Sequence, residues 1–214
     1  MSDLFEQLIY TVPAVLIAIC LHEYAHGFVS HLCGDPTPKA RGRLSLNPLH
    51  HLDPVGTLCL IFFHFGWAKP VMVNPNYYKN KKLGMVLVAL AGPLTNFVIA
   101  FLSMFGMGVI LKTTGGYADD FVVNLFTFLN YLAIINIGLG SFNLIPFPPL
   151  DGSKIVGALL PADKYFAFMR YERYGQGILM LLLITNILDK PLDLLHSGIT
   201  NGIWHSVAMI LGLS

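Results

Sequence analysis

Two long segments without a single charged residue place the strongest limit on how this chain folds. Residues 83–111 and 121–150 contain no Asp, Glu, Lys or Arg. Each is longer than the roughly 20 apolar residues that a helix needs to cross a bilayer. Charged residues make up only 12% of the chain, about half their share in soluble domains, so few polar side chains are available to cover a water-facing surface. The sequence therefore predicts an integral membrane protein.

Four further segments are apolar enough to enter a membrane. Residues 7–33 and 174–188 are expected to span or nearly span it. Residues 54–68 cover about half a membrane thickness, which favours a re-entrant or interfacial segment. Residues 194–214 are compatible with a span or with a helix lying flat. We expect an all-α polytopic membrane protein with about 4–6 transmembrane or re-entrant helices.

A short stretch between the first two spans shows a different pattern. The sequences RGRLSLNP (41–48) and WAKPVMVNP (67–75) alternate apolar and polar residues and end in Asn-Pro, which is typical of short strands bounded by turns. Pro70 would confine its strand to a sheet edge, because proline has no N–H to donate. We expect a small, membrane-associated β-hairpin-like segment near residues 41–76.

The distribution of basic residues predicts the orientation. With segments 35–82 and 151–173 on the cytoplasmic side, eleven Lys and Arg residues lie inside and only Lys112 and Lys190 lie outside, as the positive-inside rule requires. This orientation predicts a bacterial cytoplasmic membrane protein whose polar motifs face the cytoplasm. The net charge of +1, without a block of like charges, gives no indication of nucleic-acid binding.

The first apolar segment contains HEYAH, which is costly at membrane depth. His22 and His26 are four residues apart, so they lie on one face of a helix and can bind one zinc ion. Glu23 points roughly 100° away and can act on a water molecule at the open side of the metal. A chance match in a chain of this composition is expected only about 0.004 times, and ionisable residues inside a membrane are functional by default.

A catalytic zinc needs a third protein ligand. Asp151 is the leading choice, since it follows FNLIPFPPL, where three prolines force the backbone out of a helix, and Gly152 permits a sharp turn. An ordinary helix-ending turn with a solvated aspartate is the alternative, and His51 is the next choice of ligand. His31 lies half a turn out of phase with His22 and should point away from the metal.

These motifs together resemble the site-2 protease family of intramembrane zinc metalloproteases (peptidase family M50), in its compact bacterial-type branch. HEYAH and NLIPFPPLDG carry the resemblance, and GRLSLNPLHHLDPVGT, GWAKPVMVNP and AGPLTNF extend it over most of residues 15–155. The resemblance implies one zinc ion per chain, with His22, His26 and Asp151 as ligands and Glu23 as the catalytic acid and base.

The sequence departs from that family in several places. Many relatives carry a PDZ domain or CBS domains, and we expect neither here, because the loop 112–120 is short. His50 and His64 are unusual for the family and are either extra metal contacts or structural residues. We expect one integral membrane metalloprotease domain over residues 1–214, with its core at 7–155 and C-terminal helices at 174–214.

The resemblance implies hydrolysis of peptide bonds in or near transmembrane segments of membrane proteins, that is, regulated intramembrane proteolysis. Asn143 and Asn96 are the expected donors to the oxyanion, and an unwound substrate could add as a strand to residues 67–74. The partners would be transmembrane protein substrates and the lipid bilayer. A non-hydrolytic zinc-binding membrane protein, either a pseudoprotease or a metal transporter, is the alternative.

Overall fold

Helices account for most of the regular structure. The computed structural model describes residues 2–54, 56, 68–115, 119–161, 164 and 172–213. The helices are α1 (Ser2–Leu32), α2 (Thr37–Ala40), α3 (Lys81–Thr114), α4 (Asp120–Asn143), α5 (Asp151–Leu159), α6 (Glu172–Ile184) and α7 (Asp189–Leu211). Two short 3-10 helices, Pro48–His50 and Pro75–Tyr77, lie between α2 and α3.

Three of the described helices are long and apolar enough to cross a membrane. They are Gln7–Leu32 within α1, the whole of α3 and the whole of α4. The apolar part of α6, Tyr174–Ile184, is shorter than a span. These helices are those of a membrane protein, whereas the expected number of about 4–6 spans is not confirmed. The expected re-entrant segment 54–68 falls almost entirely outside the described residues.

The third span ends earlier than the apolar pattern predicted. Helix α4 stops at Asn143, and Asp151 is the first residue of α5 rather than the last of the preceding helix. The intervening residues form turns, because Pro146, Pro148 and Pro149 cannot donate helical hydrogen bonds. Hydropathy alone could not locate this break, since the residues 144–150 are as apolar as a helix.

The expected β-hairpin-like segment near residues 41–76 is not confirmed. In the described part of this segment the strand-like pairing is one isolated antiparallel bridge between Leu52 and Ala68. Asn47 and Asn74 instead accept hydrogen bonds from backbone N–H groups two residues further on. The side chains that suggested strand boundaries therefore cap 3-10 turns, and Pro70 offers no N–H to continue a ladder.

The contacts divide the chain into two compact units. The first comprises residues 1–18, 96–142 and 179–214, and the second comprises residues 19–95 and 143–178. Helices α1, α3, α4 and α6 contribute residues to both units. The expectation of one domain over residues 1–214 stays a prediction.

The first unit has an apolar core with one polar pair. Buried Ala100, Met104, Ala133, Ile137 and Val207 form the core cluster. Fully buried Asn96 donates to the side-chain oxygen of Asn136 at 2.8 Å and to the carbonyl oxygen of Ala18 at 3.3 Å. Such bonds satisfy polar groups that lipid and apolar side chains cannot.

The second unit contains a buried carboxylate that joins three segments. Asp35 accepts hydrogen bonds from the Ser30 hydroxyl at 2.9 Å, the Thr37 N–H at 2.9 Å and the Asn74 N–H at 2.7 Å. Burial alone would raise the pKa of Asp35, but these donors stabilise its charged form and hold the pKa below its ordinary value. Asp35 thereby fastens the extended residues near Asn74 to the end of α1.

Candidate metal centre

Three ligand-type side chains from α1 and α5 meet inside the second unit. The Nε2 atoms of His22 and His26 lie 3.0 Å apart, and the Oδ2 atom of Asp151 lies 3.2 Å from the first and 3.0 Å from the second. All three residues are buried. Within the described part of the chain, this is the group of His, Cys, Asp and Glu residues that could hold a metal ion.

The spacing and chemistry of the three atoms fit zinc. Zinc–nitrogen and zinc–oxygen bonds of about 2.0–2.1 Å in a tetrahedron place neighbouring ligand atoms about 3.3 Å apart. The observed separations of 3.0–3.2 Å are close to that edge length. Two imidazoles and one carboxylate form a donor set that leaves the fourth position open, as catalytic zinc sites do.

The outer contacts orient these ligand atoms. The Nδ1 atom of His26 lies 2.6 Å from the carbonyl oxygen of Val88, and since a carbonyl only accepts, Nδ1 carries the proton and Nε2 keeps its lone pair for a metal. The Nζ atom of Lys154 lies 3.3 Å from Asp151 Oδ1. The two histidines contact the other carboxylate oxygen, Oδ2. Burial would raise the pKa of Asp151, but His26, His22 and Lys154 lower it, and the pKa stays well below its ordinary value.

Gly92 of α3 provides the room that the two histidines occupy. A Cβ atom added at this position would lie 2.5 Å from His26 Nε2 and 2.6 Å from His22 Nε2. Real Cβ atoms essentially never approach neighbours this closely. The absence of a side chain at position 92 is therefore a condition for the observed placement of both imidazoles.

Glu23 lies beside this group without belonging to it. Its Oε2 atom accepts a hydrogen bond of 3.0 Å from the N–H of Val71. Glu23, the three ligand-type residues and the extended residues Ala68, Pro70, Val71 and Val73 line the same cavity of about 500 Å³. The Glu23 carboxylate, the ligand-type group and a stretch of non-helical backbone thus line one cavity.

The two asparagines that were expected at the oxyanion occupy different environments. Asn143 lines the 500 Å³ cavity together with Lys154 and Gln176. Asn96 belongs to the first unit, is fully buried and is not among the residues that line this cavity. Its contacts are those of a residue that joins helices.

The other histidines lie apart from the three ligands. His51 is fully buried, and its Nε2 atom donates to the carbonyl oxygen of Ser45 at 2.7 Å. The Nδ1 atom of His31 lies 3.3 Å from the carbonyl oxygen of Asp35. His31 is not part of the ligand group, as its helical phase predicted. His50 lines a different cavity, and His64 is outside the described residues.

Sequence reasoning missed several residues that build the site. Lys154 follows Asp151 by one helical turn, a spacing that could have suggested the pair. Val88 acts through its carbonyl oxygen, so no side-chain pattern could have identified it. Gly92 stood in a recognised motif, but its role depends on the distance between two helices.

Comparisons with known proteins indicate the family of this chain. The sequence model of peptidase family M50 matches residues 107–185. YwhC of Bacillus subtilis, a candidate zinc metalloprotease by its name, is 36% identical over 176 residues, which are 82% of this chain and 80% of that protein. Rip2 of Mycolicibacterium smegmatis, named in the same way, is 28% identical over 85% of this chain and 69% of its own length.

A zinc metalloprotease of Methanocaldococcus jannaschii is 24% identical over 185 residues, covering 85% of this chain and 44% of that protein. No solved structure matches the chain significantly. The match to YwhC spans most of both chains, and the metal-ligand group has the donor set of a zinc protease. On these grounds the chain belongs to peptidase family M50, and the relatives named here carry zinc metalloprotease in their names.

Proposed function

We propose that this protein is a zinc-dependent intramembrane endopeptidase that cuts peptide bonds in or near transmembrane segments of other membrane proteins. One observation carries the proposal: His22 and His26, on an apolar helix long enough to span, form a buried ligand group with Asp151 of α5, and Glu23 lines the same cavity. Ionisable groups at such a position are expensive and mark functional sites.

Each side chain has a chemical role in this proposal. His22, His26 and Asp151 hold one zinc ion, which supplies Lewis-acid chemistry toward water and the scissile carbonyl when it is bound. Glu23 takes the proton of the attacking water and passes it to the leaving amine. Asn143, which lines the cavity, donates its amide N–H to the carbonyl oxygen as negative charge develops there. Asn96 is a helix-joining residue in this scheme.

The substrate is an unwound stretch of a transmembrane helix. Ala68, Pro70, Val71 and Val73 line the cavity, and this part of the chain offers backbone groups to a peptide that lies alongside it. The Val71 N–H that now contacts Glu23 fixes the distance between this backbone and the proposed base. A peptide bond of the substrate therefore reaches Glu23 and the ligand group together.

Charge supports an active site on the cytoplasmic side of a bacterial cytoplasmic membrane. Eleven of the thirteen Lys and Arg residues lie in segments 35–82 and 151–173. The first segment follows α1, which bears His22 and His26, and the second begins at Asp151. Reporter fusions at residues 80 and 161 should read cytoplasmic, and one at residue 119 should read external. A cytoplasmic signal at residue 119 would contradict this orientation.

The decisive test compares metal content with cleavage. Wild-type protein purified in detergent should contain about one zinc ion per chain and cleave a single-spanning substrate. His22→Ala, His26→Ala and Asp151→Ala should lose both zinc and cleavage, whereas Glu23→Gln should keep zinc and lose cleavage. His31→Ala is the matched control, because His31 lies on the same helix outside the ligand group, and it should keep both.

The same experiment separates the protease from a non-hydrolytic zinc-binding membrane protein. If the wild type contains zinc but neither it nor any variant changes the amount of intact substrate, the endopeptidase proposal is wrong. If Asp151→Ala keeps full zinc and activity, Asp151 is not a ligand.

A further inference from the structure

A second cavity in the same unit brings four basic side chains together. It measures about 350 Å³ and is lined by Arg41, Arg43, His50 and Lys69 together with Leu49 and Leu52. These residues come from the turns after α2, the 3-10 helix Pro48–His50 and the residue that follows Ala68. The chain thus gathers three permanently basic groups and an imidazole at one concave site.

The basic groups of this cavity, Arg41, Arg43 and Lys69, have no ion-pair partner among the described residues. Arg43 is only 8% exposed and donates to the carbonyl oxygens of His50 and Pro70, so its guanidinium is held in place but not neutralised. Buried charges are normally paired, and an arginine fixed this way is prepared for an anion.

The rim of the cavity is apolar and exposed. Leu49, which lines it, is 73% exposed, and Met72, whose sulfur contacts the Arg41 guanidinium, is 56% exposed. A soluble anion gains nothing from such neighbours. A ligand with a phosphate group and an attached hydrocarbon chain gains from both the basic cavity and its rim.

We propose that this basic cavity binds the phosphate of an anionic phospholipid, with Leu49 and Met72 against the start of the acyl chains. Arg41, Arg43 and Lys69 supply charge-assisted hydrogen bonds to the phosphate oxygens. The bound lipid connects the turns after α2 to the extended residues that begin at Lys69. Phosphate chemistry is shared with soluble phosphate esters, and the apolar rim favours the lipid.

The test measures lipid binding by native mass spectrometry of the purified full-length protein in detergent. Dioleoyl phosphatidylglycerol and dioleoyl phosphatidylcholine are titrated separately, and an apparent Kd is obtained for each. Wild-type protein should bind phosphatidylglycerol more tightly. The double variant Arg41→Gln/Lys69→Gln should bind it about twenty-five-fold more weakly, because each basic group near an anionic lipid contributes about a factor of five.

The matched control is Lys39→Gln/Lys79→Gln. It removes the same charge from exposed positions of the same unit that do not line the cavity, and it should keep wild-type lipid binding. Both double variants change exposed residues, and equal thermal denaturation will show that both are folded. Asp151→Ala should also bind lipid normally, so failure of the zinc-protease proposal would leave this one standing.

Two results would overturn the proposal. One is equal affinity of the wild type for both lipids, or equal weakening in the two double variants, since either would indicate only a diffuse effect of surface charge. The other is displacement of phosphatidylglycerol by glycerol 3-phosphate at equal concentration, which would assign the cavity to soluble phosphate esters. Retention of the lipid against glycerol 3-phosphate supports the lipid site.

Discussion

Replacing Gly92 with alanine should disable the metal centre while leaving the protein folded. The added Cβ atom would lie 2.5 Å from His26 Nε2, 2.6 Å from His22 Nε2 and 2.6 Å from His22 Cε1. Ordinary van der Waals contact begins at 3.4 Å, so the imidazoles must retreat by about 0.9 Å. Metal sites tolerate errors of only about 0.2 Å in ligand distance.

The steric clash in Gly92→Ala should therefore lower the zinc affinity more than the stability of the fold. Without metal the two side chains can turn away, and alanine gains about 1 kcal/mol over glycine inside a helix, which offsets part of the roughly 1–3 kcal/mol cost of overpacking. With metal the imidazoles cannot turn away, because both would bind through Nε2. We expect zinc to bind at least tenfold more weakly, a loss of about 1.4 kcal/mol.

Two measurements check this expectation. Zinc content after dialysis against a metal buffer reports the affinity, and the rise in Tm on adding zinc reports the same quantity through ligand-linked stability. Gly138→Ala is the matched control, since Gly138 also lies within an apolar helix and an added Cβ would meet nothing within 4 Å. It should bind zinc and cleave substrate as the wild type does.

Wild-type zinc affinity and cleavage in Gly92→Ala would refute this reasoning. The two Nε2 atoms could then not be metal ligands in the arrangement described. Unfolding of Gly92→Ala in the absence of metal would also contradict it, because the added methyl group would then destabilise the fold and not only the bound zinc.

Three further changes separate structural from catalytic roles. Asp35→Asn should lower the free energy of unfolding by about 2 kcal/mol at neutral pH, since charge-assisted hydrogen bonds are lost. The pKa of Asp35 lies below its ordinary 3.8. The stabilisation by its charged form is therefore present above about pH 3.8 and disappears as the pH falls further. Asn96→Leu should cost about 1 kcal/mol by leaving Asn136 without its donor, with zinc content unchanged. Val71→Pro removes the N–H that Glu23 accepts and should lower kcat about tenfold with zinc retained, whereas Val71→Ala should be near wild type.

Each of these predictions has a contradicting result. Equal acid sensitivity of wild type and Asp35→Asn in denaturant unfolding would mean that Asp35 contributes nothing ionic. A large fall in kcat for a stable Asn96→Leu would return Asn96 to the oxyanion role. Unchanged cleavage by Val71→Pro would remove the contact between Val71 and Glu23 from the mechanism.

Local patterns in the sequence predicted the three apolar helices that are long enough to span and the pairing of two of the three candidate ligands. Hydropathy is a sum over neighbouring residues, so residues 83–111 had to form an apolar helix, and the structure extends it only to Lys81–Thr114. The pairing of His22 with His26 follows from the helical repeat, which brings residues four apart onto one face. Both inferences depend on local geometry, and the structure agrees with both.

Only the tertiary structure decided what surrounds that pair. The proline-rich turn and the family resemblance had indicated Asp151 as a candidate ligand, but only the structure shows its Oδ2 atom 3.0 Å from His26 Nε2, across 125 residues of chain. The structure alone also shows the contact of the Val88 carbonyl oxygen, the close approach of Gly92 and the contact of Val71 with Glu23.

The expected hairpin was not confirmed for a related reason: alternation describes single segments, whereas a sheet also needs backbone donors in register across two of them. Pro70 has no N–H to donate, and the side chains of Asn47 and Asn74 bind backbone N–H groups that a ladder would need. Packing between segments, which sequence periodicity does not encode, determined the remaining contacts.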